Sequence, residues 1–355
     1  MTVDGGSIIY GIGEDEHGHL TVLNPIDVAG QKERIASIVQ TSISEPPEVR
    51  IVLIPTEADP SKGYLVVRVP PSPRVPHMVI VGGENRFYSR GPAGNVRLNE
   101  GDVARLYEGR HRLESDRQNL LDEVISRAPI LQHDEYGYLH LVAKPLMTNA
   151  AFLDTARQDK NEQDFLVELF KAVRQSAHQY FPNFSHIPFW HMRTSGWFAF
   201  LGEDVRSNPG RDPLEVLDMS IEFDGTGYLF CGSVAKKNLT LRSGKELVIR
   251  ERYIADLTTR FISMMAKLYD SAHYLGSVTL GIAVTGIEGG ISVERAKGIG
   301  GGAPLPFDRS DYRLTTQMLA MSLVDDPVAA ARSLVLPLVR ATTQWKDWDP
   351  FQQAN

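Results

Sequence analysis

The stretch "DGGSIIYGIGEDEHG", residues 4–18, packs three signals into fifteen positions of a 355-residue chain. Residues 7–12 are apolar and partly β-branched, the pattern of a strand with at least one buried face. Gly5 and Gly6 in front of it open backbone conformations closed to other residues and let a second segment approach closely. Glu14, Asp15, Glu16, His17 and Gly18 form a polar turn, and apolar character resumes over residues 20–23, which predicts a hairpin. Taken alone, the acids read as a solvated hairpin tip at a sheet edge. A strand as apolar as 7–12, entered through two glycines, is expected inside its sheet.

The rest of the N-terminal third follows from punctuation. Residues 28–42 predict a helix with Ile35, Ile38, Val39 and Ile43 on one face, ended by Pro46 and Pro47. Residues 50–55 and 64–69 read as strands, the second stopped by Pro70 and Pro71. Residues 78–81 and 86–90 predict a further hairpin around Gly82 and Gly83, and Asn99 is placed to cap a helix over 100–108. Residues 111–135 are rich in charge, without Phe, Tyr or Trp, and read as a linker with a short helical stretch near 120–125. Beyond it, "YGYLHLVAKPLM" (136–147), "SGWFAFLG" (195–202), 217–237 with a turn at Asp224 and Gly225, and "GSVTLGIAVTGIEG" (276–289) read as strands. Residues 162–180 carry Phe165, Leu166, Leu169, Phe170 and Val173 on one stripe, 253–274 form a long helix, and a helix begins at Pro327 and meets a kink at Pro337. The predicted fold class is α+β in two domains, 1–110 and 136–355, joined by 111–135.

Composition excludes several classes. No run of 18 apolar residues exists to span a membrane, and no basic start followed by an apolar core marks a signal peptide, so a cytoplasmic address is expected. The single cysteine, Cys231, excludes an intrachain disulfide framework and a multi-cysteine zinc site, and its apolar strand context reads as an inert core thiol. The net charge of −7 argues against a uniformly basic nucleic-acid binder, but its distribution is uneven. Residues 1–60 carry three basic and ten acidic side chains, whereas 61–113 carry nine basic and four acidic ones, eight of the nine being arginine. Arginine favours planar, bidentate contacts to phosphate and carboxylate. Arg86, Tyr88 and Arg90 alternate along a predicted strand, which puts two guanidinium groups around one aromatic ring on a single face. That arrangement suits phosphate clamping with a stacked unpaired base, and equally an edge strand guarded by charge.

Three segments in order carry a family resemblance: "GGSIIYGIGEDEHG", "GYLVVRVPPSPRVPHMV" and "RFYSRGPAGNVRLNEGDVARLYE". Together they resemble the Schlafen/AlbA-type DNA-binding domain family over residues 4–110, with Gly5, Gly6, Gly11, Val69, Pro70, Tyr88 and Arg90 in the motif places and Gly91 one place early. The resemblance implies DNA or RNA as partner, with Arg68, Arg74, Arg86, Tyr88, Arg90 and Arg97 as contact residues. The family's leading helix and Glu-rich strand have no counterpart here, so strand 7–12 is expected to pair with a second copy, to be covered by another segment, or to form an edge blunted by the acids at 14–16, and upstream sequence is expected to encode the missing motif. In the family's ribonucleases that leading motif supplies two of three catalytic acids. The third is matched best by Glu14, with Gly13 the other register. One acid does not hold a divalent metal, so no cofactor is expected, and Mg or Mn enters only if the chain is a Schlafen-like RNA endonuclease.

Other constellations carry less. His178, His186 and His191 lack helical metal spacing, "KGIGGGAP" (297–304) lacks the Gly-Lys-Ser/Thr ending of a P-loop, and Met264 and Met265 read as helix packing. The aromatic run "IPFWHMRTSGWFAF" and the four tryptophans of the second domain read as core. The expectation is a regulatory or defence-related nucleic-acid-binding protein with a C-terminal ligand- or partner-sensing domain. The other expectations are the endonuclease and an assembly subunit, homo-oligomeric or paired with another protein through its Arg-rich face.

Overall fold

Strict alternation along residues 62–69 organises the N-terminal unit. A computed structural model describes residues 5–15, 19–72, 74–91, 94–128, 135–146, 151–174, 190–200, 212–237, 246–296, 306–343 and 348–351, and the chain divides into two units, 1–116 and 117–355. The first contains β1 (Gly6–Tyr10), β2 (Ile12–Glu14), β3 (Leu20–Leu23), β4 (Ile26–Asp27), α1 (Gln31–Ser42), β5 (Ile43–Ser44), β6 (Arg50–Pro55), β7 (Lys62–Val69), β8 (Met78–Val79), β9 (Arg86–Gly91), β10 (Gly94–Arg97) and the start of α2 (Glu100–Arg127). On β7, Leu65 and Val67 are buried while Arg68 is exposed. β6 pairs with one edge of β7, and β1 and β4 pair in turn with the other. A second sheet runs β10-β9-β8-β5, and β2 and β3 form a separate hairpin.

Two expectations for the opening stretch are corrected. Residues 7–12 are not one strand hairpinned to 20–23: the chain breaks at Gly11, whose φ is +98°, and only β2 pairs with β3. Nor is β1 interior. Among the described residues it pairs with β7 alone, and Ile8 and Ile9 are 52% and 51% exposed. Gly5 sits at φ +76°, and a Cβ there would lie 2.5 Å from the Val69 carbonyl oxygen. That close approach is what the glycine entry permits.

The stretch 111–127, read as linker, is also corrected. The Asn99 side chain caps α2 by accepting from the Asp102 backbone N–H at 2.9 Å, and the helix then runs unbroken to Arg127. No Gly or Pro interrupts residues 110–128, and Leu120, Leu121 and Val124 give that end of the helix an apolar face to bury.

In the second unit come β11 (Tyr136–Pro145), α3 (Phe152–Arg157), α4 (Glu162–Arg174), β12 (Trp190–Arg193), β13 (Gly196–Phe200), β14 (Leu217–Glu222), β15 (Gly227–Lys237), β16 (Leu247–Ile249), α5 (Glu251–Ser271), β17 (Ser277–Thr285), β18 (Ile291–Ser292), α6 (Val293–Ala296), β19 (Asp311–Leu319), α7 (Ala320–Asp325) and α8 (Pro327–Thr343). The fold is α+β. The main sheet runs β12-β13-β14-β15-β11-β17-β19, antiparallel throughout, with β16 and β18 attached beside β15. Its residues Leu139, Leu141, Met219, Leu229, Leu280 and Ile282 face a single core with α3, α4, α5, α7 and α8. Leu120, Leu121 and Val124 of α2 pack on the opposite face against Val142 and Ala283. Of the sequence-singled residues, Cys231, Met264 and Met265 are wholly buried and Trp197 is core. Burial pushes the Cys231 thiol pKa up. The helix α8 continues through Pro337. Residues 297–304, His178 and His186 lie outside the described residues.

Two measurements test this core. Phe261, on α5, is 1% exposed, and Phe261→Ala should cost about 3–5 kcal/mol in urea unfolding. Glu251 opens α5 fully buried, accepting from the Thr342 hydroxyl at 3.0 Å, and burial raises its carboxyl from 4.5 to about 7. The folded chain therefore keeps a proton that the unfolded chain releases, so this stabilisation is complete below about pH 4.5 and is lost as pH rises to about 7. Glu251→Gln should gain about 3 kcal/mol relative to wild type between those two pH values, read from paired urea titrations.

Candidate nucleic-acid interface

The β9–β10 ribbon gathers four of the six predicted contact residues. Side chains alternate along β9, so Arg86, Tyr88 and Arg90 share a face. The antiparallel register sets Arg97 opposite Tyr88 and Asn95 opposite Arg90, and directly opposed residues project to the same side. The Arg90 guanidinium donates to the Asn95 side-chain oxygen at 3.4 Å. Arg90 and Arg97 are exposed, while Arg86 and Tyr88 are half-buried. Phe87, on the other face, meets the Tyr107 ring edge-on at 6.3 Å, which anchors β9 to α2.

Arg68 and Arg74 are not on this ribbon. Arg68 lies on β7, in the other sheet, and Arg74 in the connection between β7 and β8. The register there brings Arg50 of β6 opposite Arg68, a pair of guanidinium groups that charge counting by segment missed because Arg50 falls in the acidic first sixty residues. Among the described residues, Arg68, Arg74, Arg90 and Arg97 make no ion pair. Arg86 pairs with Glu84 at 2.6 Å, Arg110 with Glu45 at 2.8 Å, and Arg105 with Asp102. The ribbon thus offers uncompensated positive charge at Arg90 and Arg97, next to an aromatic ring.

A small cavity of about 250 Å³ opens beside Tyr88, lined by Val75, Pro76, His77, Ser89, Leu98, Asp102, Arg105 and Leu106. His77 was not singled out from sequence, where nothing distinguishes it from the other histidines. Pro70 closes β7 where Gly5 approaches, and Gly91 pairs with Gly94 across the ribbon. Glu14 ends β2 opposite Leu20. Asp15 turns back on the hairpin: its carboxylate accepts from the His19 backbone N–H at 2.8 Å. Among the described residues no group of three His, Cys, Asp or Glu is arranged to hold a metal.

The second unit carries its own cavity, of about 330 Å³, on the sheet face that α2 partly covers. Asp218, Ser220 and Glu222 of β14, Tyr228 and Phe230 of β15, His140 of β11 and Phe198 of β13 line it, with Arg127 at the rim. Arg127 donates to Glu222 at 2.7 Å and to Glu123 at 2.6 Å, with its guanidinium 4.8 Å from the Tyr228 ring centre. Burial raises the pKa of Glu222 and of the Tyr228 phenol. His140 is 3% exposed, its Nε2 lies 3.3 Å from the Thr285 hydroxyl, and its Nδ1 has no partner among the described residues. Sequence alternation hid these groups, because they come from five elements that only the sheet register and the end of α2 bring together.

Burial, with Arg313 nearby, lowers His140 from 6.5 to about 4, against the opposing pull of Asp311. The folded chain holds this ring neutral where the unfolded chain binds a proton. The stabilisation is complete above about pH 6.5 and is lost as pH falls toward 4. His140→Phe should therefore unfold with a weaker acid dependence, by about 2–3 kcal/mol between pH 6.5 and 4.5 in urea titrations.

No known family model matches the chain, and no curated protein or solved structure matches it either.

Proposed function

We propose that the chain is a nucleic-acid-binding protein that grips single strands at the β9–β10 ribbon and reads a ligand in its second unit. The observation that carries this is the grouping of Tyr88 with Arg86, Arg90 and Arg97 on one face, with no carboxylate paired to Arg90 or Arg97 among the described residues. Guanidinium groups neutralise phosphates, and a base stacks on the tyrosine. The resemblance to the Schlafen/AlbA-type family supports the same reading. The 330 Å³ cavity with its neutral histidine, ion pair and aromatic floor supports ligand sensing in the second unit.

Filter binding of short single-stranded DNA and RNA across a salt series tests the reading. Affinity should fall steeply with salt, and Arg90→Ala with Arg97→Ala should lower the salt slope by about 2 and weaken all sequences alike. Tyr88→Ala should cost about 1–3 kcal/mol without changing that slope. Absence of retention for both DNA and RNA at low salt would sink the proposal.

A second reading, assembly through β1, is favoured by the exposure of Ile8, Ile9 and Tyr10 on a strand that pairs on one side only among the described residues. Residues 5–13 carry no charge, so the same strand of a second copy would pair with it antiparallel without repulsion. Light scattering should then give twice the 39.5 kDa chain mass, and Ile8→Lys should return it to the single-chain value. A single-chain mass for the wild type rejects this reading.

A further inference from the structure

The 330 Å³ cavity of the second unit holds acceptors that the fold leaves open. On β14, Leu217, Met219 and Ile221 are buried in the core, so Asp218, Ser220 and Glu222, which alternate with them, share the opposite face. The register flanks Ser220 with Phe198 of β13 and Tyr228 of β15, and sets Gly196 opposite Glu222. Directly opposed residues project to the same side, so the two rings wall the cavity and the missing side chain at Gly196 leaves room beside the Glu222 carboxylate. The short Ser220 side chain makes a slot between the rings, since strands two apart stand roughly 10 Å from each other. Glu222 is half-buried with its side chain 21% exposed; its Oε1 accepts from Arg127 at 2.7 Å, and its Oε2 takes no hydrogen bond among the described residues. The half-buried Ser220 hydroxyl has no partner among them either.

Charge selects what these acceptors suit. Among the described residues the cavity and its rim hold three carboxyls, Asp218, Glu222 and Glu123, and one guanidinium, Arg127, which Glu222 and Glu123 already hold. His140, on the same wall, is kept neutral by burial and adds no positive charge. An anion seated against Arg127 would meet carboxylates on two sides. Burial, together with Asp224 and Glu123, raises the Glu222 carboxyl although Arg127 pulls it down. One guanidinium therefore undercompensates this carboxyl, and a second cation would complete the balance. We infer that the cavity binds a small aryl-alkyl amine, whose ammonium donates to Glu222 Oε2, with Ser220 as a further acceptor, while its ring lies between Phe198 and Tyr228. The inference rests on the ligand-sensing reading of the second unit and gives that ligand a chemical class.

Isothermal titration calorimetry of the full chain at neutral pH tests it with phenethylamine, phenethyl alcohol and phenylacetate, close in shape but cationic, neutral and anionic. The amine should bind about tenfold more tightly than the alcohol, the advantage of a charge-assisted hydrogen bond over a neutral one, and phenylacetate should not bind detectably. Glu222→Gln should bring the amine down to the affinity of the alcohol and leave the alcohol unchanged. Arg127→Met gives the whole Glu222 carboxylate to the ligand and should tighten the amine, whereas a merely structural ion pair would loosen every probe when broken. Thermal melts check that both variants fold, and if Glu222→Gln melts early the Arg127→Met comparison decides. Alcohol or phenylacetate binding as tightly as the amine, an amine preference that survives Glu222→Gln, or an Arg127→Met variant that binds the amine more weakly overturns the inference and leaves a ligand-reading cavity in place. Binding of none of the three overturns the inference and the ligand reading together, and leaves the nucleic-acid reading of the ribbon standing.

Discussion

Burial of α5 along one face of the main sheet is the constraint on which the second unit depends. The helix begins with the buried Glu251 and continues through Tyr253, Ile254, Leu257, Phe261, Met264, Met265, Leu268 and Tyr269, all essentially without solvent contact. A helix so apolar has no stable position except inside a core. Its polar atoms are used to fix its place: the Tyr269 hydroxyl lies within 3.2 Å of the Ala143 carbonyl oxygen and 3.3 Å of that of Gly225, tying the helix to β11 and to the β14–β15 turn. With one sheet face sealed this way, α2 is the element among the described residues that packs on the other face. That is why Asp218, Ser220, Glu222 and His140 come to line a cavity rather than a core.

The first unit is built on different terms. Among its described residues, Leu65 and Val67 are the only fully buried large apolar side chains, whereas Ile8, Ile9, Tyr10, Val22, Leu23, Ile38, Val52 and Ile54 are exposed. Helix α1 buries none of its residues. The amphipathic pattern of 28–42 is present in the sequence, but its apolar face is only partly covered: Ile35 and Val39 are half-buried and Ile38 is exposed. Small units bury a low fraction of their apolar surface, and one this thinly packed gains by association. Both proposals for this unit, a polyanion on its ribbon and a second strand on its edge, supply contacts that its own core does not.

The two cavities share one chemical device. In each, a buried histidine is held neutral by desolvation, spends one nitrogen on a neighbour, and keeps the other without a partner among the described residues. An orphaned buried nitrogen is costly in a site meant only for packing.

Much of the local structure was legible in the residues. Proline and glycine punctuation located β6, β7, β9, β14 and β15, the Asn99 cap located the start of α2, the apolar stripe located α4, and Pro327 located the start of α8. The alternation Arg86, Tyr88, Arg90 determined that those side chains share a face, since a strand permits nothing else. Tertiary structure decided the rest. Gly11 turns the chain and sends β1 to β7 and β2 to β3, a break that the continuous apolar run of 7–12 does not mark. The apolar face of Leu120, Leu121 and Val124 drew a charged stretch into helix, since burial against Val142 and Ala283 outweighs a polar average. Arg97 joins Tyr88, Arg50 joins Arg68 and His77 meets its cavity only through strand register and chain reversal. Sequence governs what each residue does to its immediate backbone. Which distant residues share a site depends on pairings whose energies lie between segments, and a one-dimensional pattern does not contain them.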